Sequence, residues 1–260
     1  MAGRWRHTTL AFLIALIVAI PVAARAGQPA NVTGPTNLAW AGCAGTPASH
    51  LAVEFDCLAN GGAVYTLVGT FSLSEPVAHA VSMDANVEIA FPSLSHVPDF
   101  WDVRAGGCNT SDIIVGKGTA PGCAGHLNAF CRGDTNDCDV LYSARIAPGT
   151  NVLKLDLTLR PPSVTGVALA ASPQVYYAFS LSIPMAHAGS CSGCPSSAIA
   201  SWVSGTVHSV DDLGGTLPDI SLSADFPGAT SCAAVNGGGP GCSQVPTRAT
   251  TWGQLKSLYR

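Results

Sequence analysis

The stretch Val152-Leu-Lys-Leu-Asp-Leu-Thr-Leu-Arg160 decides the fold. Leu153, Leu155, Leu157 and Leu159 alternate with Lys154, Asp156, Thr158 and Arg160. Successive side chains of a strand point to opposite faces, so this spacing makes one apolar face and one wet face. A helix would scatter the same four leucines around its circumference. Residues 175–183 repeat the pattern, with Val175, Tyr177, Phe179, Leu181 and Ile183 alternating with Tyr176, Ala178, Ser180 and Ser182. Weaker alternation places further strands at 51–55, 63–73, 85–91, 139–146, 199–207 and 220–224, with a short edge at 112–115. Gly61-Gly62, Pro92, Pro121-Gly122, Pro148-Gly149, Pro161-Pro162 and Gly214-Gly215 punctuate them as turns. Many short strands with no long amphipathic run between them predict an all-β fold, an antiparallel β-sandwich with a closed barrel as the alternative. No fixed repeat is present, which disfavours propellers and solenoids.

Composition supports this and narrows the functional classes. Of 260 residues, 47% are hydrophobic and only 11% charged, against about a quarter charged in an ordinary soluble domain. The scarcity of Glu, Lys and Gln disfavours a mainly helical fold, and the absence of a basic face argues against nucleic-acid partners. Residues 1–26 read as a signal peptide. Arg4, Arg6 and His7 form a basic start, residues 10–20 an apolar run, and Ala24-Arg25-Ala26 a small-x-small cleavage pattern before Gly27. The run is short for a membrane span, so the mature chain is expected to have none. Its removal leaves nine basic residues against 16 acidic ones, a formal charge of −7. The expected organisation is a linker at 27–36, a sandwich domain at 37–225, a Gly/Cys-rich loop at 226–250 and a short C-terminal helix at 251–260. Thr251 and Gln254 fit a capping box there, and Trp252, Leu255 and Leu258 share one helical face. That helix packs on the sandwich or serves as a sorting or docking tag.

All ten cysteines lie beyond the leader: Cys43, Cys57, Cys108, Cys123, Cys131, Cys138, Cys191, Cys194, Cys232 and Cys242. An even number in a low-charge exported chain predicts a disulfide framework and a secreted, periplasmic or cell-surface location. The cysteines fall into even local groups, 43/57, 108 to 138, 191/194 and 232/242, so the expectation is pairing within groups. Cys191-Ser-Gly-Cys194 raises two alternatives, a redox centre and half of a zinc site completed by Cys232 and Cys242. The surrounding Gly189, Ser190, Gly193 and Pro195 describe a loop rather than the helix start a redox thiol needs.

Several landmarks carry a resemblance: Asn37-Leu-Ala-Trp40-Ala-Gly-Cys43, Phe55-Asp-Cys57, Pro98-Asp-Phe-Trp101 with the following Cys108, and Thr251-Trp-Gly-Gln-Leu-Lys-Ser-Leu-Tyr-Arg260. In these the chain resembles a set of uncharacterised secreted bacterial proteins that go under the name "hypothetical". The resemblance implies a bacterial exported protein and no activity.

No G-x-S-x-G elbow, H-E-x-x-H helix, P-loop or G-x-G-x-x-G segment occurs. The histidines beyond the leader are isolated in sequence, and the best acid–imidazole group is His96 with Asp99 and Asp102. Asp134, Asn136, Asp137 and Asp139 offer several hard oxygens in a tight segment, as calcium prefers. Against calcium, Cys138 interrupts the ligand register, and Asp and Asn also fill ordinary turns. No other cofactor is expected. Trp101 is the candidate ligand contact, a stacking platform for a sugar, with a core position as its alternative. Asn31 and Asn109 begin N-x-S/T strings. These features favour a secreted or cell-surface non-catalytic module for binding, adhesion or extracellular structure, with carbohydrate or protein as ligand. An extracellular hydrolase acting on polysaccharide is the alternative, for which two facing carboxylates are needed.

Overall fold

The computed structural model describes residues 33–58, 62–109, 113–116, 122–131, 138–163, 165–226, 229–238 and 242. The expected signal peptide and the C-terminal helix at 251–260 lie outside the described residues. Thirteen strands follow in chain order: β1 (Thr33–Trp40), β2 (Ala52–Val53), β3 (Val64–Phe71), β4 (Val77–Ala90), β5 (Ile114–Gly116), β6 (Leu127–Asn128), β7 (Asp139–Ile146), β8 (Val152–Arg160), β9 (Val167–Leu169), β10 (Tyr176–Pro184), β11 (Ala198–Ser209), β12 (Ile220–Ser223) and β13 (Cys232–Val235). A single 3-10 turn at Asp99–Trp101 interrupts the long connection from β4 to β5. The described residues are all-β, with no α-helix among them.

The alternation in β8 works as expected. Leu153, Leu155, Leu157 and Leu159 are buried in the core, while Lys154, Asp156 and Thr158 stand on the outer face. Strand β10 is buried almost throughout, because one face meets the core and Tyr177 on the other packs with Val68, Cys43 and Cys123. Strand β1 joins the two arms of the sheet. Its first residues, Thr33 to Pro35, pair parallel with β12. From Thr36 to Trp40 it pairs antiparallel with β3. Pro35, which has no N–H to give a ladder, sits where the partner changes. One strand therefore belongs to two arms, and the sheet runs β5-β10-β3-β1-β12-β11-β4-β8-β7. The arms are hydrogen-bonded to each other through β1 and close over one core as a nearly complete, barrel-like wall. The Phe179 and Trp202 rings, 4.9 Å apart and edge to face, lock β10 against β11 across that core.

Two strands fall in segments expected to be loop. β1 begins inside the supposed linker, and β13 lies inside the Gly/Cys-rich segment. β1 is hidden from a periodicity argument because its inward positions begin with Gly34 and Thr36. Gly34 is required by close approach, since a Cβ there would lie 1.8 Å from the Ser72 carbonyl oxygen. β13 is Cys-Ala-Ala-Val, too small-sided to register as apolar, yet it pairs with both β11 and β2.

The cysteine pairing departs from local grouping. The bridges are Cys43–Cys123, Cys57–Cys194, Cys108–Cys191, Cys131–Cys138 and Cys232–Cys242. Only the last two are local. An even count within a sequence group does not constrain partners, because the fold brings loops from distant strands to one place. Cys191 and Cys194 each reach back to a different loop, Cys108 in the segment after the 3-10 turn and Cys57 after β2. The C-x-x-C pair is therefore neither a dithiol centre nor half of a zinc site. Cα–Cα separations of 4.9 to 5.9 Å at the three long-range bridges match the reach of a disulfide.

Candidate functional site

The outer face of β8, β4 and β11 carries the largest polar constellation among the described residues. Its position follows from register. Asp84, Asn86 and Glu88 alternate outward along β4 and lie directly across from Thr158, Asp156 and Lys154 of β8. Each pair is bonded: the Thr158 hydroxyl donates to Asp84 at 2.6 Å, the Asn86 amide to Asp156 at 2.7 Å, and Lys154 forms an ion pair with Glu88. Arg145 of β7 adds a bidentate bond to Asp156. Exposed pairs of this kind contribute on the order of 0.2–1 kcal/mol each, so their main effect is to hold side chains in place.

At the β11 edge of this row, His208 lies between two carboxylates. Its Nδ1 is 2.7 Å from Asp219 and its Nε2 is 3.0 Å from Asp84. Partial burial disfavours the charged imidazole, but hydrogen bonds to Asp84 and Asp219 and the charges of both carboxylates outweigh it, so the pKa of His208 is raised from 6.5. Asp84 shifts the other way. Burial pushes it up, yet the Thr158 and His208 hydrogen bonds and the nearby His208 and Arg160 charges hold it below 3.8. Both shifts favour the charged His208 imidazole and the Asp84 carboxylate relative to the free groups, and in the charged imidazole both ring nitrogens donate. A second carboxylate–imidazole contact, His79 Nε2 to Asp212 at 2.8 Å, lies in the same region, because the Val210 N–H donates to the His79 carbonyl.

This geometry limits the chemistry. A hydrolytic triad needs a hydroxyl on one ring nitrogen and a carboxylate on the other. Here carboxylates hold both ring nitrogens, and the Thr158 hydroxyl donates to Asp84; Ser82, directly opposite His208 in the β4–β11 ladder, therefore meets an imidazole with neither nitrogen open to it. An inverting glycosidase needs room for a water between its two carboxyl groups, and the imidazole occupies that space. A single metal ion cannot take one ring nitrogen and both carboxylates when the carboxylates sit on opposite edges of the ring. Among the described residues, no group of three or more His, Cys, Asp or Glu is arranged to hold a metal.

The residues singled out from the sequence are dispersed. Trp101 is 1% exposed; it stacks on Phe55 at 5.6 Å and meets Phe91 and Phe100 edge on. Phe55 in turn contacts Trp40 and stacks on Tyr65. Trp101 is thus the centre of an aromatic core, not a surface platform, because the 3-10 turn at Pro98-Asp-Phe-Trp101 directs Phe100 and Trp101 inward. The expected group of His96, Asp99 and Asp102 does not converge: Asp99 accepts from Ser192, and Asp102 pairs with Arg104. That Arg104 contact, opposed by partial burial, holds the Asp102 carboxyl below its ordinary value. Of the calcium candidates, Asp139 opens β7 opposite Arg160, while Asp134, Asn136 and Asp137 lie outside the described residues. Asn109 is buried and donates to the Phe100 carbonyl at 2.8 Å, so it is no acceptor for a glycan in the folded chain. Asn31 lies outside the described residues.

His208, Asp84 and Asp219 had no signal in the sequence. His208 and Asp84 are 124 positions apart, and only the β4–β11 register brings them together. No protein-family model matches the chain, and comparison with curated proteins finds no match.

Proposed function

We propose that the chain is a bacterial secreted or cell-surface module with a non-catalytic role in binding, adhesion or extracellular structure. The observation that carries this reading is the double engagement of His208, which leaves the most elaborate polar group of the described surface with no free base and no activated nucleophile. The disulfides support an oxidising compartment, and cross-linked loops at the ends of a β scaffold suit recognition, since loops on a rigid frame commonly carry binding. A sandwich-like closure of the two arms and export through the N-terminal leader belong to the same reading. Carbohydrate or protein is the ligand class.

Asp84 and Asp219 supply the one observation favouring a polysaccharide hydrolase, as paired carboxylates on one face. Incubating the oxidised mature chain with insoluble polysaccharides separates the two. The module reading expects no release of reducing ends, whether or not protein is depleted from solution. Release that disappears in Asp84→Asn and Asp219→Asn variants would replace it with the hydrolase.

A further inference from the structure

The sheet path ends at β7, whose eight residues pair with β8 along their whole length. Among the described residues, no strand pairs with its other side. The ladder from Asp139 opposite Arg160 to Ile146 opposite Leu153 runs without a register shift. An unpaired edge offers a row of backbone donors and acceptors, and proteins usually blunt it with a mid-strand Lys, a Pro or a bulge. β7 has none of these. Its sequence, Asp139-Val-Leu-Tyr-Ser-Ala-Arg-Ile146, keeps its charges near the ends and places Leu141 and Tyr142, 58% and 41% exposed, in the middle.

Register with β8 sorts these side chains. Asp139, Leu141, Ser143 and Arg145 lie opposite Arg160, Thr158, Asp156 and Lys154 on the outer face. Val140, Tyr142, Ala144 and Ile146 lie opposite the four core leucines. We propose that β7 is the contact strand of a symmetric homodimer, pairing antiparallel with β7 of a second copy so that Tyr142 faces its own symmetry mate. Directly opposed residues on antiparallel strands share a face, so core sides stay aligned only when odd positions meet odd ones. Among such registers, the one centred on Tyr142 sets Asp139 against Arg145 of the second copy, and the two-fold axis repeats that ion pair. Sliding by two residues sets Asp139 against Ser143, or Leu141 against Arg145, and loses both ion pairs. The centred register also joins the two Tyr142 rings and continues the core face from one copy into the next. The contact is isologous and closes at two copies. This inference goes beyond the binding-module reading and does not depend on it.

Sedimentation of the mature, oxidised chain from micromolar to sub-millimolar concentration tests the proposal, together with two variants. Wild type is expected to show a monomer–dimer equilibrium. Tyr142→Lys puts like charges face to face on the two-fold axis and is expected to raise the dissociation constant about tenfold or more, with an unchanged circular dichroism spectrum. Tyr142→Cys places two thiols within disulfide reach and is expected to give a reducible dimer on a non-reducing gel; this result decides the matter if the lysine variant does not fold. A wild type that stays monomeric throughout would overturn the proposal. So would a dimer that Tyr142→Lys leaves intact and Tyr142→Cys fails to link.

Discussion

Replacing Cys57 and Cys194 together by alanine should cost more stability than replacing Cys131 and Cys138. A cross-link stabilises chiefly by removing loop entropy from the unfolded chain, and its effect grows with the logarithm of the loop it closes. Cys57–Cys194 spans 137 residues, but Cys108–Cys191 spans 83 within that stretch and remains in place. Cys43–Cys123 also remains and shortens the path further, from Cys57 back to Cys43, across to Cys123, back to Cys108 and across to Cys191, so the loop released is about 32 residues, for which the entropic relation gives about 3.7 kcal/mol at 25 °C. Cys131–Cys138 closes only 7 residues, for which the same relation gives about 2 kcal/mol. Urea unfolding of the two double variants under non-reducing conditions, read as midpoint times slope, measures the difference. A gap of about 1.4 kcal/mol is expected. Equal losses, or a larger loss for the short bridge, would refute the view that the long-range bridges restrain the unfolded chain across distant loops.

The remaining predictions concern the core and the polar face. Trp101→Ala should cost about 3–5 kcal/mol in the same urea assay, because Phe55, Phe91 and Phe100 pack directly on that ring; a surface ligand platform would lose little stability. Gly69→Ala should destabilise by about 1–3 kcal/mol, since a Cβ there would meet the Phe179 ring at 2.5 Å and push it against Trp202. Asn109→Ala should cost about 1–3 kcal/mol by leaving the buried Phe100 carbonyl without its donor. For His208→Asn the signature is pH dependence. The folded pKa of His208 is raised, so its contribution is full below 6.5 and fades as pH rises through the raised value. The folded pKa of Asp84 is depressed, so its contribution is full above 3.8 and is lost as pH falls through the lowered value. The stability gap between wild type and His208→Asn should therefore be widest between those limits and shrink on the alkaline side. A gap independent of pH would show that the imidazole is not held as a cation.

What could be read from the residues, and what could not, separates along a physical line. β8 and β10 were legible because their inward positions are large and apolar, so period two stands out locally. β4 was legible only from Ala85 onward, since irregular pairing between Val77 and Ala80 breaks the alternation in its first half. β1 and β13 present Gly, Thr and Ala to the interior, and their burial depends on close backbone approach that no hydrophobicity pattern records. The same holds for chemistry. Trp101 as a core residue was one of two readings open from its apolar neighbours. The Asp84–His208–Asp219 group depends on the register between β4, β11 and the segment entering β12. The long-range cysteine partners depend on loops that meet only after the sheet has closed on itself.

Among the described residues, the Asp84–His208–Asp219 group is a closed clasp in which carboxylates hold both ring nitrogens. Nitrogen-15 NMR of the imidazoles, followed through pH, measures it directly. The His208 ring is expected to keep both nitrogens in the donor range to a pH above 6.5, the value of a free imidazole. A ring that loses a proton at or below 6.5 would contradict the clasp and restore His208 as an available base.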